Sequence, residues 1–208
     1  MGKAVVAIIG GVLILISTWW VDQSGTTEPA QGNFVRAPHS SPVVARPVVA
    51  QRATSGSVPQ AAPTWLAIEP GILPKTELNP AGVKAINGVV IPSDNRPAFR
   101  TDSNKPGTDS PGTTFIVGHN YVDRSGEFVP FSALARVERG DQVVLGTPNG
   151  ELIYTVQQAF RVPKHEMASR ADLLVNVPGR LILETCATDD GRDTRDNLVV
   201  ITQLATAK

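Results

Sequence analysis

The chain has 208 residues with 19 Lys+Arg against 19 Asp+Glu, three histidines and a single cysteine. This balance leaves no basic footprint for nucleic acid, and one cysteine excludes an intramolecular disulfide. Scattered histidines and one thiol also lack the spacing of a metal site, so neither metal nor cofactor is expected.

Residues 4–20 carry no charge, with Lys3 before them and Asp22 after. The run is near the lower length limit for a membrane-spanning helix. Trp19 and Trp20 suit the far interface, and the positive flank predicts a cytoplasmic N-terminus with the rest of the chain outside. Residues 1–21 are therefore expected to be a single-pass anchor in the cell membrane. A cleaved signal peptide is the rival reading, but the bulky tryptophans occupy the place of a small-residue cleavage site. Residues 22–64, rich in Pro, Ser, Thr, Ala and Gln, bury too little to offset their ordering entropy and read as an extended linker. Such a linker spans roughly 35 Å if flexible and about 130 Å if polyproline-like.

Residues 65–208 suffice for one compact domain with a single core, expected to be monomeric. Most of it reads as strand. Val83 to Ile86 and Val89 to Ile91 flank Asn87-Gly88, a hairpin-turn signal. A Gly-Pro-rich loop follows, and then the β-branched run Thr114-Phe115-Ile116-Val117-Gly118 leads into His119. Short helices are expected over Phe131 to Arg136 and His165 to Leu174. Gln142 to Gly146 and Leu152 to Val156 flank a turn at Pro148-Asn149-Gly150. Arg180 opens the run Leu181-Ile182-Leu183-Glu184-Thr185-Cys186, and Leu198 to Leu204 reads as the last strand. The expectation is a mainly β antiparallel barrel with small helical insertions.

Three polar groups stand at strand edges: His119, Cys186 and Arg195. A thiol, an imidazole and a guanidinium on one rim would make a cysteine nucleophile, its proton shuttle and its anion stabiliser. Each has a plainer reading. Free cysteine is among the most buried residue types, and Glu184, Asp189 and Asp190 oppose a thiolate. His119 could be a structural histidine, with His165 the second acid/base candidate. Arg195 could be a solvated arginine of a charged turn, with Arg192 its nearest rival.

Residues 65–208 resemble the sortases, cysteine transpeptidases of Gram-positive cell surfaces. The pieces are Phe115-Ile116-Val117-Gly118-His119, then Gly126-Glu127-Phe128 through Ser132-Ala133-Leu134. Next come Arg139-Gly140-Asp141-Gln142-Val143, Leu183-Glu184-Thr185-Cys186, and Arg195-Asp196-Asn197-Leu198-Val199-Val200. The last is most like actinobacterial class F members. The loop from Cys186 to Arg195 is shorter than is usual in that class, and no Asp-Pro-aromatic lid motif precedes the barrel. The resemblance implies an eight-stranded barrel. It implies that Cys186 attacks the Thr–Gly carbonyl of an L-P-x-T-G-like sorting signal and that His119 moves the proton. Arg195, with Thr185, would hold the oxyanion and the signal backbone, and a cell-envelope amine would take the acyl group. Two other readings stay open: a thiol peptidase that hydrolyses the same signals, and an inactive barrel that binds an extended peptide. A cell-wall L,D-transpeptidase is disfavoured, because its S-x-G-C-x-R box is absent. Leu73-Pro74-Lys75-Thr76-Glu77 is itself signal-like but lacks the glycine, and reads as chance.

Overall fold

The computed structural model describes residues 56–86, 89–189 and 191–207. The expected anchor, most of the expected linker and the Asn87-Gly88 turn lie outside them. Among the described residues no helix is long and apolar enough to cross a membrane.

Among the described residues, nine strands form one sheet. They are β1 (Trp65–Glu69), β2 (Leu73–Glu77), β3 (Asn79–Val83), β4 (Ala98–Arg100), β5 (Thr114–Gly118), β6 (Gln142–Thr147), β7 (Gly150–Pro163), β8 (Arg180–Asp189) and β9 (Arg192–Ala207). Their spatial order is β2-β1-β6-β7-β9-β8-β5-β4-β3. The two outermost strands, β2 and β3, are separated in sequence by Leu78 alone, which is buried. The Leu78 N–H donates to Thr64 O at 2.9 Å, and the next N–H, of Asn79, donates to Pro97 O at 2.8 Å. The chain thus leaves one end of the sheet and joins the other within a residue, which curls the sheet into a nearly closed barrel. Taken as one strand bent at Leu78, β2 and β3 reduce the nine to the eight expected.

The interior holds Leu66, Ile116, Leu145, Tyr154, Leu183 and Val200, all buried. A second cluster, Phe115, Val162, Leu173, Ile182 and Val199, packs on the opposite face of the β5, β7, β8 and β9 portion. Strands buried on both faces need apolar residues at consecutive positions rather than alternate ones, which explains the run Leu181-Ile182-Leu183. Leu173 comes from α1 (Ala171–Leu174). The backbone carbonyls of Asp172, Leu173 and Val175 accept from the Arg180 guanidinium, which caps this short helix from the base of β8.

Several elements differ from expectation. The 3-10 helix Pro130–Arg136 matches the first predicted helix. The second is broken into the turn Met167–Ser169 and the single turn of α1. The hairpin after Val83 is reduced to one isolated bridge, Ile86 to Val89. Strand β7 runs 14 residues instead of five, because the polar stretch Gln157-Gln158 is carried through by a bulge opposite Thr202 and Ile201. The chain also meets the barrel before Trp65. Val58 is 2% exposed, and its N–H and C=O bond the Thr108 hydroxyl at 3.1 Å and the Thr108 N–H at 2.9 Å. Gln60 N–H donates to Asp109 at 2.7 Å.

Candidate active site

Strands β5 and β8 are parallel and in register from Thr114–Leu181 to Gly118–Thr185. His119, just past the end of β5, and Cys186, within β8, each follow a member of the last pair. The approach of the 3-10 helix to β5 requires glycine at 118: a Cβ there would lie 2.5 Å from the buried Phe131 ring. His119 therefore emerges where the strand is pressed against the helix.

The segments around the two residues are tied together. Thr185 Oγ1 donates to Gly118 O at 2.8 Å. Asn120 Nδ2 donates to Cys186 O at 2.8 Å and to Thr188 Oγ1 at 3.4 Å. Both neighbours of His119 are thus bonded to residues at or beside the thiol. The imidazole itself is held from the other side, with Nε2 3.0 Å from Pro92 O. Its ring centroid is 5.5 Å from that of Tyr121, whose hydroxyl donates to Asn95. Thr185 was expected to contact the signal backbone. It is buried between the strands, and its hydroxyl donates to Gly118 O.

Cys186 is a free, half-buried thiol. It lies inside β8 rather than at its end, because the strand continues to Asp189 against the start of β9. Burial pushes the thiol up first of all. The positive charge of Lys164 pulls it down, and Asp193 and Glu184 add to the rise. Glu184 is itself raised by burial, opposed by Arg100 and by the Asn197 amide, which donates to Glu184 Oε1 at 2.7 Å.

Arg195 and Arg192 both fall within β9, not ahead of it or in a loop. Cys186 pairs with Asn197 and Thr188 with Asp193, so two steps of β8 face four of β9. Arg195 lies in this bulge, beside the thiol strand, while Arg192 pairs with Asp189 at the hairpin tip. Bulges re-aim side chains beside active sites. Arg195 is exposed and makes no side-chain hydrogen bond or ion pair among the described residues.

A groove of about 710 Å³ opens alongside, lined by Leu73, Pro74, Phe128, Ala133, Asn120 and Thr188 among others. Its walls come from β2, the 3-10 helix and the β8–β9 tip, and it reaches Asn120, next after His119, and Thr188, two residues past Cys186. Leu73-Pro74-Lys75-Thr76-Glu77 is β2 itself. Sequence reasoning missed Lys164, Asn120 and Asp193. Lys164 is recognisable only once β7 is seen to extend to Pro163.

No curated protein matches the chain. Among solved structures it is similar to sortase A from Listeria monocytogenes, at 18% identity and TM-score 0.52 over 71% of this chain and 90% of that one. A sortase from Actinomyces oris matches at 14% identity and TM-score 0.51, over 74% and 86%. Sortase C1 of Streptococcus agalactiae matches at 16% and 0.52, over 68% and 66%. At these identities the likeness carries the fold. The sortase domain family model matches residues 73–205; this span holds the His119 strand, the Cys186 strand and the bulged Arg195 strand, and by it the chain belongs to the sortase family.

Proposed function

We propose that the protein is a cysteine transpeptidase that cleaves an L-P-x-T-G-like sorting signal between Thr and Gly and transfers the acyl group to an amine of the cell envelope. The observation that supports this reading is the β5–β8 register, whose last pair, Gly118 and Thr185, immediately precedes His119 and the lone thiol in their segments. Cys186 gives its proton to His119 as Sγ forms a bond to the threonine carbonyl carbon, and the carbonyl oxygen becomes an oxyanion facing Arg195. The C–N bond to glycine then breaks, and the leaving nitrogen takes a proton from His119. A thioester remains on Cys186. An incoming amine gives a proton to His119 and displaces Sγ, so the bond count is restored. Splitting one difficult acyl transfer into two steps is the gain from covalent catalysis. Residues 1–21 would hold the enzyme in the membrane, with the linker expected over residues 22–64 joining them to the barrel on the outer side.

The test is mass spectrometry of the full-length protein with L-P-x-T-G and L-A-x-T-G peptides, with and without a glycine-type amine. A ligated product, and an acyl adduct on Cys186 when amine is withheld, are expected. Free acid alone at every amine concentration would make the protein a thiol peptidase. No cleavage and no adduct would leave a peptide-binding barrel.

A further inference from the structure

His119 has two ring nitrogens, and one of them is already engaged. Nε2 lies 3.0 Å from the Pro92 carbonyl oxygen. A carbonyl can only accept, so this bond requires the proton on Nε2. Nδ1, on the other edge of the ring, makes no hydrogen bond among the described residues. The carbonyl belongs to a buried proline, whose ring restricts its own backbone. The turn that follows is tied down at three points. Asn79, itself buried, donates through Nδ2 to Ser93 Oγ at 2.9 Å. Asp94 accepts from the Arg96 N–H at 2.9 Å. Asn95 Oδ1 accepts from the Tyr121 hydroxyl, and Tyr121 stands two residues after His119 with its ring 5.5 Å from the imidazole. The segment that supplies the acceptor is therefore anchored to the start of β3 and to the His119 segment itself.

We propose that residues Pro92 to Asn95 form a positioning clamp that fixes the His119 tautomer, so that Nδ1 is the nitrogen that carries the proton in catalysis. Which histidine nitrogen is protonated is set by the hydrogen bond the other one makes or lacks. The Pro92 bond holds the proton on Nε2 and leaves Nδ1 a free lone pair. The inference rests on His119 as the acid/base of the transpeptidase reading. In that reaction the Cys186 proton passes to Nδ1 as Sγ bonds the carbonyl carbon. The ring is then an imidazolium, and its Nε2–H stays on Pro92 O as a charge-assisted bond. The leaving glycine nitrogen takes the Nδ1 proton, and the incoming amine returns one to the same atom. The clamp residues are positioning residues: they act through the imidazole.

The opposite assignment is costly at the same contact. With the neutral ring's proton on Nδ1, Nε2 would turn a lone pair toward the carbonyl oxygen, two acceptors 3.0 Å apart. A polar group left without its partner costs free energy instead of contributing it. With Nδ1 as the carrier, the Pro92 bond persists in every state of the ring.

The test reads the ring directly. The chain has three histidines, so full-length protein carrying His39→Gln and His165→Gln reports His119 alone in long-range proton–nitrogen NMR correlation spectra. At a pH where the ring is neutral, a protonated Nε2 and a bare Nδ1 are expected, with the Nε2 proton visible because the clamp shields it from exchange with water. Neutral histidine already favours that tautomer in water, so the shielding is what reports the clamp. Ser93→Ala together with Tyr121→Phe removes two of the anchors. This variant should lose the shielded proton, and its turnover should fall roughly tenfold, short of the roughly hundredfold that a misplaced group can cost. Replacing His119 by Nδ1-methylhistidine should abolish transfer. A proton on Nδ1 in the parent overturns the proposal, as does transfer that survives Nδ1 methylation. So does an equally shielded Nε2 proton in the folded double variant, which would make the anchors mere loop packing. Thermal melting identifies a double variant that fails to fold, and the parent spectrum and the methylated ring then decide. A shielded Nε2 proton, lost in the double variant, in a protein that transfers no peptide would leave the clamp standing and overturn the transpeptidase reading instead.

Discussion

The Thr185 hydroxyl donates to the Gly118 carbonyl at 2.8 Å, so the residue before the thiol is bonded to the residue before the imidazole. This is a buried side-chain bond across two parallel strands. Its loss leaves a carbonyl without that partner and frees the two strand ends to shift. Thr185→Val should cost about 1–3 kcal/mol of stability and, by misplacing the pair, between tenfold and about a hundredfold in turnover. Thr185→Ser, which restores the donor, should recover most of both. Urea unfolding and peptide-transfer rates on the same preparations check this.

Gly118 is the partner in that bond and also the closest approach of the 3-10 helix. With only 2.5 Å between a Cβ and the Phe131 ring, Gly118→Ala must move either Phe131 or the His119 segment. Overpacking of this kind typically costs about 1–3 kcal/mol. The expected outcome is a lower melting temperature and lost turnover. Phe131→Leu in the alanine background should relieve the clash and restore part of the stability.

Glu184 sits two residues before the thiol and its carboxyl is raised by burial. The folded protein thus keeps this proton to a higher pH than the unfolded chain does. The corresponding stability is fully present below the ordinary glutamate range and is lost as pH rises through the folded value. Glu184→Gln mimics the protonated form and keeps an acceptor for Asn197. It should melt higher than the parent at pH 7 and no higher at pH 4. A melting difference that is the same at both pH values would show that ionisation is not the cause.

Arg195 and Arg192 separate by position. One lies in the bulge facing the thiol strand and the other at the hairpin tip opposite Asp189. Losing an oxyanion donor typically costs on the order of a hundredfold in rate. Arg195→Ala should show about that loss with the fold intact, and Arg192→Ala little change. Steady-state transfer kinetics decide it, and the reverse ranking would reassign the donor.

The domain boundary can be tested by truncation. A chain starting at Trp65 loses the buried Val58 and its bonds to Thr108. Burial of a valine is worth about 1.5–3 kcal/mol. A chain starting at Ser57 should therefore melt several degrees above one starting at Trp65, with equal secondary structure by circular dichroism.

The barrel was legible because its central strands are buried on both faces, which leaves consecutive β-branched and leucine residues such as Leu181-Ile182-Leu183. His119 and Cys186 were legible because each ends such a run. The start of β9 was not, because Arg192 to Asn197 is a charge-rich segment held in the sheet by its partners on both sides rather than by its own apolar residues. The length of β7 was obscured by Gln157-Gln158, and with it the position of Lys164. The packing of Val58 was hidden by its composition: one valine in a Pro-Ala-Ser stretch gives no periodic signal, and its partner loop is 50 residues away.

The pairing of β5 with β8 joins Gly118 and Thr185 across 67 residues of chain. Parallel pairing over that distance must meet its loop-closure entropy before any contact offsets it, and such contacts form late in folding. On the proposed mechanism, until the barrel is assembled the sulfur has neither its acid/base partner nor its oxyanion donor. The chain then carries an ordinary thiol. On that reading, acyl-transfer competence arrives only together with the finished sheet, and a partly folded molecule cannot acylate its neighbours.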